Sequence, residues 1–298
     1  HRLGTLCRNM DVRYDDGSAH RAEYDARVLN EVWQAMLVKL TKDNRKLKHF
    51  ELANLETSIE MLKHIYPHHV IALAKNYDGL HDLYRLVSMS NIEYLAKLPK
   101  IPRRELNTYR KNLLFGSACL NGEVFEIAQN KNEDALRKAI SFYDYIEIQP
   151  LPNYVYLVNK GSFESIDEVQ RTIIDIVKVS DEQKKLVCAT GDVHYCRKED
   201  KIFRDVFISA KGLGGEYHPL NLNPYDKADI GHFDNPDQHF RSTKEMLAEM
   251  AFLGKEKAYE VTVTNTNIIN DTIEALVPLP NDKLYTPEIP NSEKELTE

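Results

Sequence analysis

Asp192 and His194 close the stretch Val187-Cys188-Ala189-Thr190-Gly191-Asp192-Val193-His194-Tyr195. Its first half reads as a short buried strand running into a glycine turn. In extended backbone, residues two apart point to the same side, so carboxylate and imidazole can aim at one point. An oxygen and a nitrogen ligand converging at a strand's C-terminal end are half of a metal site. An isolated Asp-x-His is more often a turn residue beside a surface histidine. Other polar residues flank strand ends in the same way: His69, Cys119 and Glu123, Glu147 and Gln149. Two histidines and two carboxylates from separate strand units would build a metal centre with oxygen and nitrogen ligands.

A second pair lies near the start of the chain. His20 stands at the entrance of a helix and Asp25 in its first turns. An imidazole there can act as general base on a metal-bound water while the carboxylate ligates the metal. The bland reading is a helix-capping histidine beside a solvated aspartate.

The elements that must position these groups follow from periodicity. Val28, Leu29, Val32, Trp33, Met36, Leu37 and Leu40 recur at helical spacing, after an Asp15-Asp16-Gly17-Ser18 turn with N-cap chemistry. Residues 41–67 are charged and loosely periodic, and the run Lys42 to Lys48 reads as a solvated face at a junction. From His68 the character changes. Strands are expected at 69–76, 112–118, 145–149 and 186–189, and helices at 78–88, 122–130, 134–142, 166–179 and 199–209. That alternation predicts a parallel α/β arrangement, with functional side chains at the strands' C-terminal ends. No dinucleotide fingerprint or phosphate-loop lysine is present; Lys211-Gly212-Leu213-Gly214-Gly215 lacks the required ending.

Composition bounds the rest. A chain of 298 residues with 42% hydrophobic and 29% charged residues can bury a sizeable core. A formal charge of −7 argues against gripping nucleic acid by global charge and leaves room for metal ions to hold phosphates. Cys7, Cys119, Cys188 and Cys196 form no CxxC pair, which suggests reduced thiols and a cytoplasmic setting. No apolar run approaches the ~18 residues of a membrane span. The chain starts at His1 rather than Met and reads as cut from something longer.

Several segments together resemble one family. His69–Asn76, Gly116-Ser117-Ala118-Cys119, Gly122–Glu126, Phe142–Pro150 and Ala189–Tyr195 are similar to the polymerase-and-histidinol-phosphatase (PHP) domain. In particular they resemble the PolC-type DNA polymerase III alpha subunits of low-GC Gram-positive bacteria and mycoplasmas. Glu199–Arg204, Arg241–Leu247 and Leu284–Pro287 are similar to the same family, and the His-x-Ala-x-x-Asp at His20 and Asp25 resembles the third motif of DnaQ-like 3′–5′ exonucleases. In that family the exonuclease is inserted within the PHP domain.

The resemblance implies an incomplete PHP-type (β/α) barrel preceded by the helical C-terminal piece of a ribonuclease-H-like exonuclease domain. The expected boundaries are 1–42 for the exonuclease end, 43–67 for a junction, 68–280 for the later PHP portion and 281–298 for a connection to the polymerase palm. It implies PHP metal roles for His69, Glu123, Asp192 and His194. For the exonuclease it implies His20 as general base and Asp25 as metal ligand. Mg2+ or Mn2+ would serve exonuclease and polymerase, and Zn2+ or Mn2+ the PHP site. Implied partners are DNA and deoxynucleotides, with the sliding clamp and other replisome subunits. Three departures matter: the chain holds no Asp-x-Glu, no His-x-His and no Asp-x-Asp. The expectation is a part of a replicative polymerase, inactive alone and acting as scaffold. The alternatives are a free-standing PHP-type metal phosphoesterase and a non-catalytic PHP hub. Residues 214–238 match less well, and His218, His232 and His239 are expected at the surface.

Overall fold

The computed structural model describes residues 3–18, 21–41, 47–48, 51, 62, 65–130, 132–212, 214–215, 217–221, 235–278 and 290–292. His20, His232, the run Lys42–Lys46 and the segment Leu284–Pro287 lie outside them. The chain divides into two units, His1–Leu62 and Lys63–Glu298.

In the first unit α1 (Leu3–Asn9) packs on α2 (Ala22–Lys39). Cys7, Val28 and Val32 form its buried centre, with Tyr14, Tyr24 and Met36 against it. The helical periodicity is real but only one stripe is covered. Leu29 and Trp33 remain 54% and 40% exposed. The Asp15 carboxylate accepts from Gly17 N and the Ser18 hydroxyl, which makes a turn rather than a cap. The helix begins at Ala22, with Arg21 at the cap position and no side-chain cap bond.

The second unit is α/β. Its order is β1 (Ile71–Ala74), α3 (Tyr77–Ile92), α4 (Arg103–Thr108), β2 (Leu113–Gly116), α5 (Glu123–Asn130), α6 (Glu133–Phe142) and β3 (Tyr145–Ile148). It continues through α7 (Val155–Asn159), α8 (Ile166–Glu182), β4 (Leu186–Ala189) and α9 (Lys201–Ser209). At the end come α10 (Thr243–Glu249), α11 (Lys255–Tyr259), a π-helical turn (Glu260–Thr264) and α12 (Asn265–Asp271). Caps set the helix starts. The side chains of Asn76, Asn132, Ser165 and Ser242 accept from the backbone N–H of Gly79, Ala135, Glu168 and Glu245. Of these helices, α4, α7 and α10 to α12 escape a reading by periodicity, because each is short and its apolar positions are too few to show a period.

The four strands form one sheet in the order β1-β2-β3-β4. β2, β3 and β4 run parallel, whereas β1 pairs antiparallel with β2, Ile71 opposite Gly116 and Ala74 opposite Leu113. The fully parallel arrangement expected from strand–helix alternation is therefore corrected to a mixed sheet. The correction has a consequence for the site. Because β1 runs backwards, its beginning lies at the edge where β2, β3 and β4 end. His69, just ahead of β1, bridges to Gly122 and its N–H donates to Asn121 O at 3.0 Å.

Ile146, Ile148 and Val187 of the sheet are buried with Ile173 of α8, Met250 and Val261 in the main core. A second cluster joins Leu86, Leu106, Leu113 and Phe115. Strand alternation sends Glu147 to the side opposite Ile146 and Ile148, off the main core.

Candidate functional site

At the edge where β2, β3 and β4 end lies a cavity of about 590 Å³, lined among others by His69, Cys119, Glu147, Gln149, Thr190 and Asp192. Each side chain arrives by a short local path. His69 precedes the reversed strand β1. Cys119 follows Ala118, which holds a left-handed φ of 61°. Asp192 itself sits at φ 46°, after the Thr190-Gly191 turn. Left-handed backbone at a non-glycine residue costs about 1–2 kcal/mol, and here it occurs twice on one cavity wall. Gly122 allows the close approach that brings His69 in: a Cβ there would stand 2.0 Å from Ser117 O.

The internal contacts are specific. Cys119 Sγ lies 3.5 Å from His69 Nδ1. The Thr190 hydroxyl donates to Glu147 Oε2 at 3.1 Å, and Glu147 N donates to Ser117 Oγ at 2.9 Å. Gln238 Nε2 donates to Asp192 Oδ2 at 2.7 Å. The amide of Asn153 donates to Gly191 O at 2.9 Å, so the Gly191-Asp192 turn is held from two sides. Burial raises the Glu147 carboxyl above the usual carboxylate range, opposed by hydrogen bonds from Thr190 and Tyr145 and reinforced by the Asp192 charge. Burial likewise raises the Cys119 thiol, and Asp192 and Glu147 add to it.

The sequence-expected ligands are only partly assembled. His69 and Asp192 share the cavity. His194 is not among the lining residues; its Nδ1 lies 2.8 Å from Asp192 O and 3.9 Å from Asp192 Oδ1. A histidine whose Nδ1–H donates to a backbone carbonyl presents Nε2 as its free acceptor, the arrangement common among metal-binding histidines. Glu123 is not brought to this wall. Its carboxylate pairs with Arg103 and accepts from the Tyr143 hydroxyl, while the Arg103 guanidinium stacks 4.3 Å from the Phe142 ring. Asp25, in the first unit, has a buried Oδ1 with no partner, at the start of α2. Glu147 and Gln149 were visible in the sequence as strand-end polar residues; Thr190 gave no signal beyond its place before the glycine turn.

Two surface expectations also need correction. His239 is 6% exposed, with Nδ1 2.7 Å from Asp237 Oδ1, because Asp237, Arg241 and Tyr195 build a buried polar knot around it. His218 is half-buried against Phe207.

The donors fit a divalent cation in kind. Imidazole, thiol and carboxylate share one cavity with Gln149 Oε1, a buried amide oxygen that has no partner. Among the described residues, however, no three His, Cys, Asp or Glu side chains stand together in positions to hold a metal. Three of the donors are engaged in internal bonds, His69 and Cys119 with each other and Asp192 with Gln238. Such an ion would supply charge neutralisation and water activation. As placed, the described side chains do not form a set that holds it.

Comparison with known proteins bears on the identity of this site. The PHP domain family matches residues 14–150, a span that includes His69, Cys119, Glu147 and Gln149 and stops short of Asp192. The chain is 40% identical over 99% of its length to "DNA polymerase III PolC-type" of Halalkalibacterium halodurans, covering 19% of that protein. It is 38% identical over 99% of its length to the protein of the same name from Listeria welshimeri, covering 19%. It is 37% identical over its full length to that of Bacillus subtilis, covering 20%. The chain thus spans about a fifth of the length of the relatives it matches. The chain is similar along nearly its whole length to a segment of PolC-type DNA polymerase III proteins, and its residues 14–150 match the PHP domain.

Proposed function

We propose that this chain is the part of a replicative DNA polymerase that contributes a PHP domain as scaffold, in a parent that copies DNA and proofreads 3′ ends. The observation that carries this reading is similarity over 99% of the chain to proteins of which it spans 19%. The absence of an Asp-x-Asp pair supports the scaffold role, since two-metal nucleotidyl transfer needs paired carboxylates. On this reading residues 1–42 are the end of the 3′–5′ exonuclease, with His20 as general base and Asp25 as ligand, residues 43–67 are a junction, and residues 68–280 are part of an incomplete PHP barrel. DNA, deoxynucleotides, the sliding clamp and other replisome subunits are partners of the parent in the cytoplasm. Mg2+ or Mn2+ would serve its nucleotidyl-transfer and exonuclease centres.

The test is direct. The purified chain, supplied with primed template, deoxynucleotides and Mg2+ or Mn2+, is expected to neither extend the primer nor shorten its 3′ end. Extension or 3′ digestion would overturn the scaffold reading.

The cavity favours a second statement within the first. Its imidazole, thiol and carboxylate donors support a cation site for Zn2+ or Mn2+ on His69, Cys119, Asp192 and His194, while Glu123 has a packing role. Such an ion would supply positive charge beside Asp192 and Glu147 and would favour the thiolate form of Cys119.

A further inference from the structure

Helix α9 (Lys201–Ser209) is amphipathic, and its apolar side faces outward. Ile202, Phe203, Val206 and Phe207 are 64%, 72%, 64% and 61% exposed, while Ile208 alone on this helix is buried. Steps of one, three and one residue set the four on a single helical face. Among the described residues, none of them joins a buried core cluster. A surface helix ordinarily turns such a stripe onto the core, because removing apolar area from water is stabilising.

Polar bonds hold α9 in this orientation. Lys201, Asp205 and Ile208 lie on the opposite face of the helix. Asp205 pairs with Lys201 at 3.1 Å and accepts from the Asn235 amide at 2.9 Å. The Asn221 amide donates to Ile208 O at 3.4 Å. Ahead of the helix, Arg197 N donates to Asp200 Oδ2 at 3.1 Å. Rolling the apolar face inward would break the Asp205 bonds and drive a carboxylate outward in exchange. Contiguous exposed apolar surface of this kind marks an interaction face.

The size of the face argues for its occupant. Stable homodimers bury about 800 Å² per partner over 20–30 residues a side, whereas α9 offers four side chains on nine residues. Two surfaces of one chain are already held near each other, so a smaller contact suffices between them. The relatives matched over 99% of this chain extend well beyond it, for the chain covers 19% of each. About four fifths of such a protein lies outside these residues.

We propose that Ile202, Phe203, Val206 and Phe207 form an intramolecular docking face, covered by an apolar surface of the parent polymerase that lies outside these 298 residues. The inference rests on the reading of the chain as part of a longer polymerase.

The experiment places Val206→Cys in the isolated chain and in the full-length polymerase that contains it. Each protein is treated with a maleimide under native conditions, and modification at position 206 is followed by mass spectrometry. The isolated chain is expected to label fast. The polymerase should label at least about tenfold more slowly, the ratio following how rarely the contact opens. Adding Phe203→Asp should bring the polymerase up to the isolated chain's rate while leaving urea unfolding of the isolated chain unchanged. Ile202→Cys repeats the comparison if Val206→Cys does not fold. Equal rates in the two proteins would overturn the proposal. Slow labelling in the isolated chain would overturn it as well. Sedimentation would then assign the cover to a second copy if the mass exceeds the monomer's, and to the chain's own residues if it does not. A reading frame confined to this chain would overturn the parent and the proposal together. Primer extension by the isolated chain would overturn the scaffold reading alone.

Discussion

Glu123 and Asp192 are both carboxylates beyond strand ends, yet their surroundings give them different work. Glu123 is spent on Arg103 and Tyr143, and Asp192 faces the cavity with one oxygen on Gln238. Substitution should separate them. His69→Ala and Asp192→Ala are each expected to weaken Zn2+ binding at least about tenfold. Glu123→Gln should leave it within about threefold while lowering stability by about 1 kcal/mol, as expected for a part-exposed ion pair. Calorimetric titration with Zn2+ and urea unfolding read the two effects independently, and equal loss of Zn2+ affinity in Glu123→Gln would return Glu123 to the ligand set.

The Asp237 knot makes a second residue-level prediction. Burial alone would raise the Asp237 carboxyl, but hydrogen bonds from His239 and Tyr195, with Arg241 nearby, outweigh it and hold Asp237 below its ordinary range. A depressed carboxylate stabilises the folded state fully above its unfolded value near 3.8 and loses that contribution as pH falls through the lower folded value. Wild type should therefore lose stability from about pH 4 downward more steeply than Asp237→Asn. At neutral pH Asp237→Ala should cost about 1.5–3 kcal/mol, the range for hydrogen bonds to a charged group. Parallel acid limbs for wild type and Asp237→Asn would contradict the assignment.

At the scale of elements, the reversed strand β1 decides the geometry. A parallel β1 would place His69 at the opposite edge from Cys119 and Asp192. The reversal depends on backbone contact between the His69 segment and the Asn121-Gly122 turn, which a side chain at 122 would obstruct. Gly122→Ala is accordingly expected to destabilise the protein by about 1–3 kcal/mol. Cation affinity should fall with it, because His69 moves with the turn. Thermal unfolding and Co2+ titration on the same sample check both. A neutral Gly122→Ala would mean that the turn gives way without disturbing β1. The helical elements were the most legible in sequence. α8 spans five turns with an N-cap serine and one apolar face, and Val169, Ile173 and Ile176 are buried as that spacing requires. Shorter elements such as α4 and α10 carry too few residues for a period to emerge.

At the scale of the molecule, the described residues include no helix long and apolar enough to cross a membrane. Binding of a cation to the folded state alone would raise stability by mass action, about 2.7 kcal/mol at a hundredfold excess over Kd. Stripping the purified chain with a chelator is thus expected to lower its unfolding temperature by several degrees, and Zn2+ should restore it. No shift in either direction would argue that the cavity holds no ion in this chain, leaving it a scaffold with a residual cleft.

Local sequence determined the α/β alternation, the caps and apolar faces of the long helices, and the identity of the strand-end polar residues. These depend on short-range spacing and hydrogen bonding, which a sequence carries in full. The tertiary structure decided which polar residues meet. The direction of β1, the pairing of Glu123 with Arg103 and the bond from Gln238 to Asp192 all rest on contacts across strands or between segments about twenty or more residues apart. Such contacts are selected by packing and desolvation over the whole core, so no window of sequence contains them.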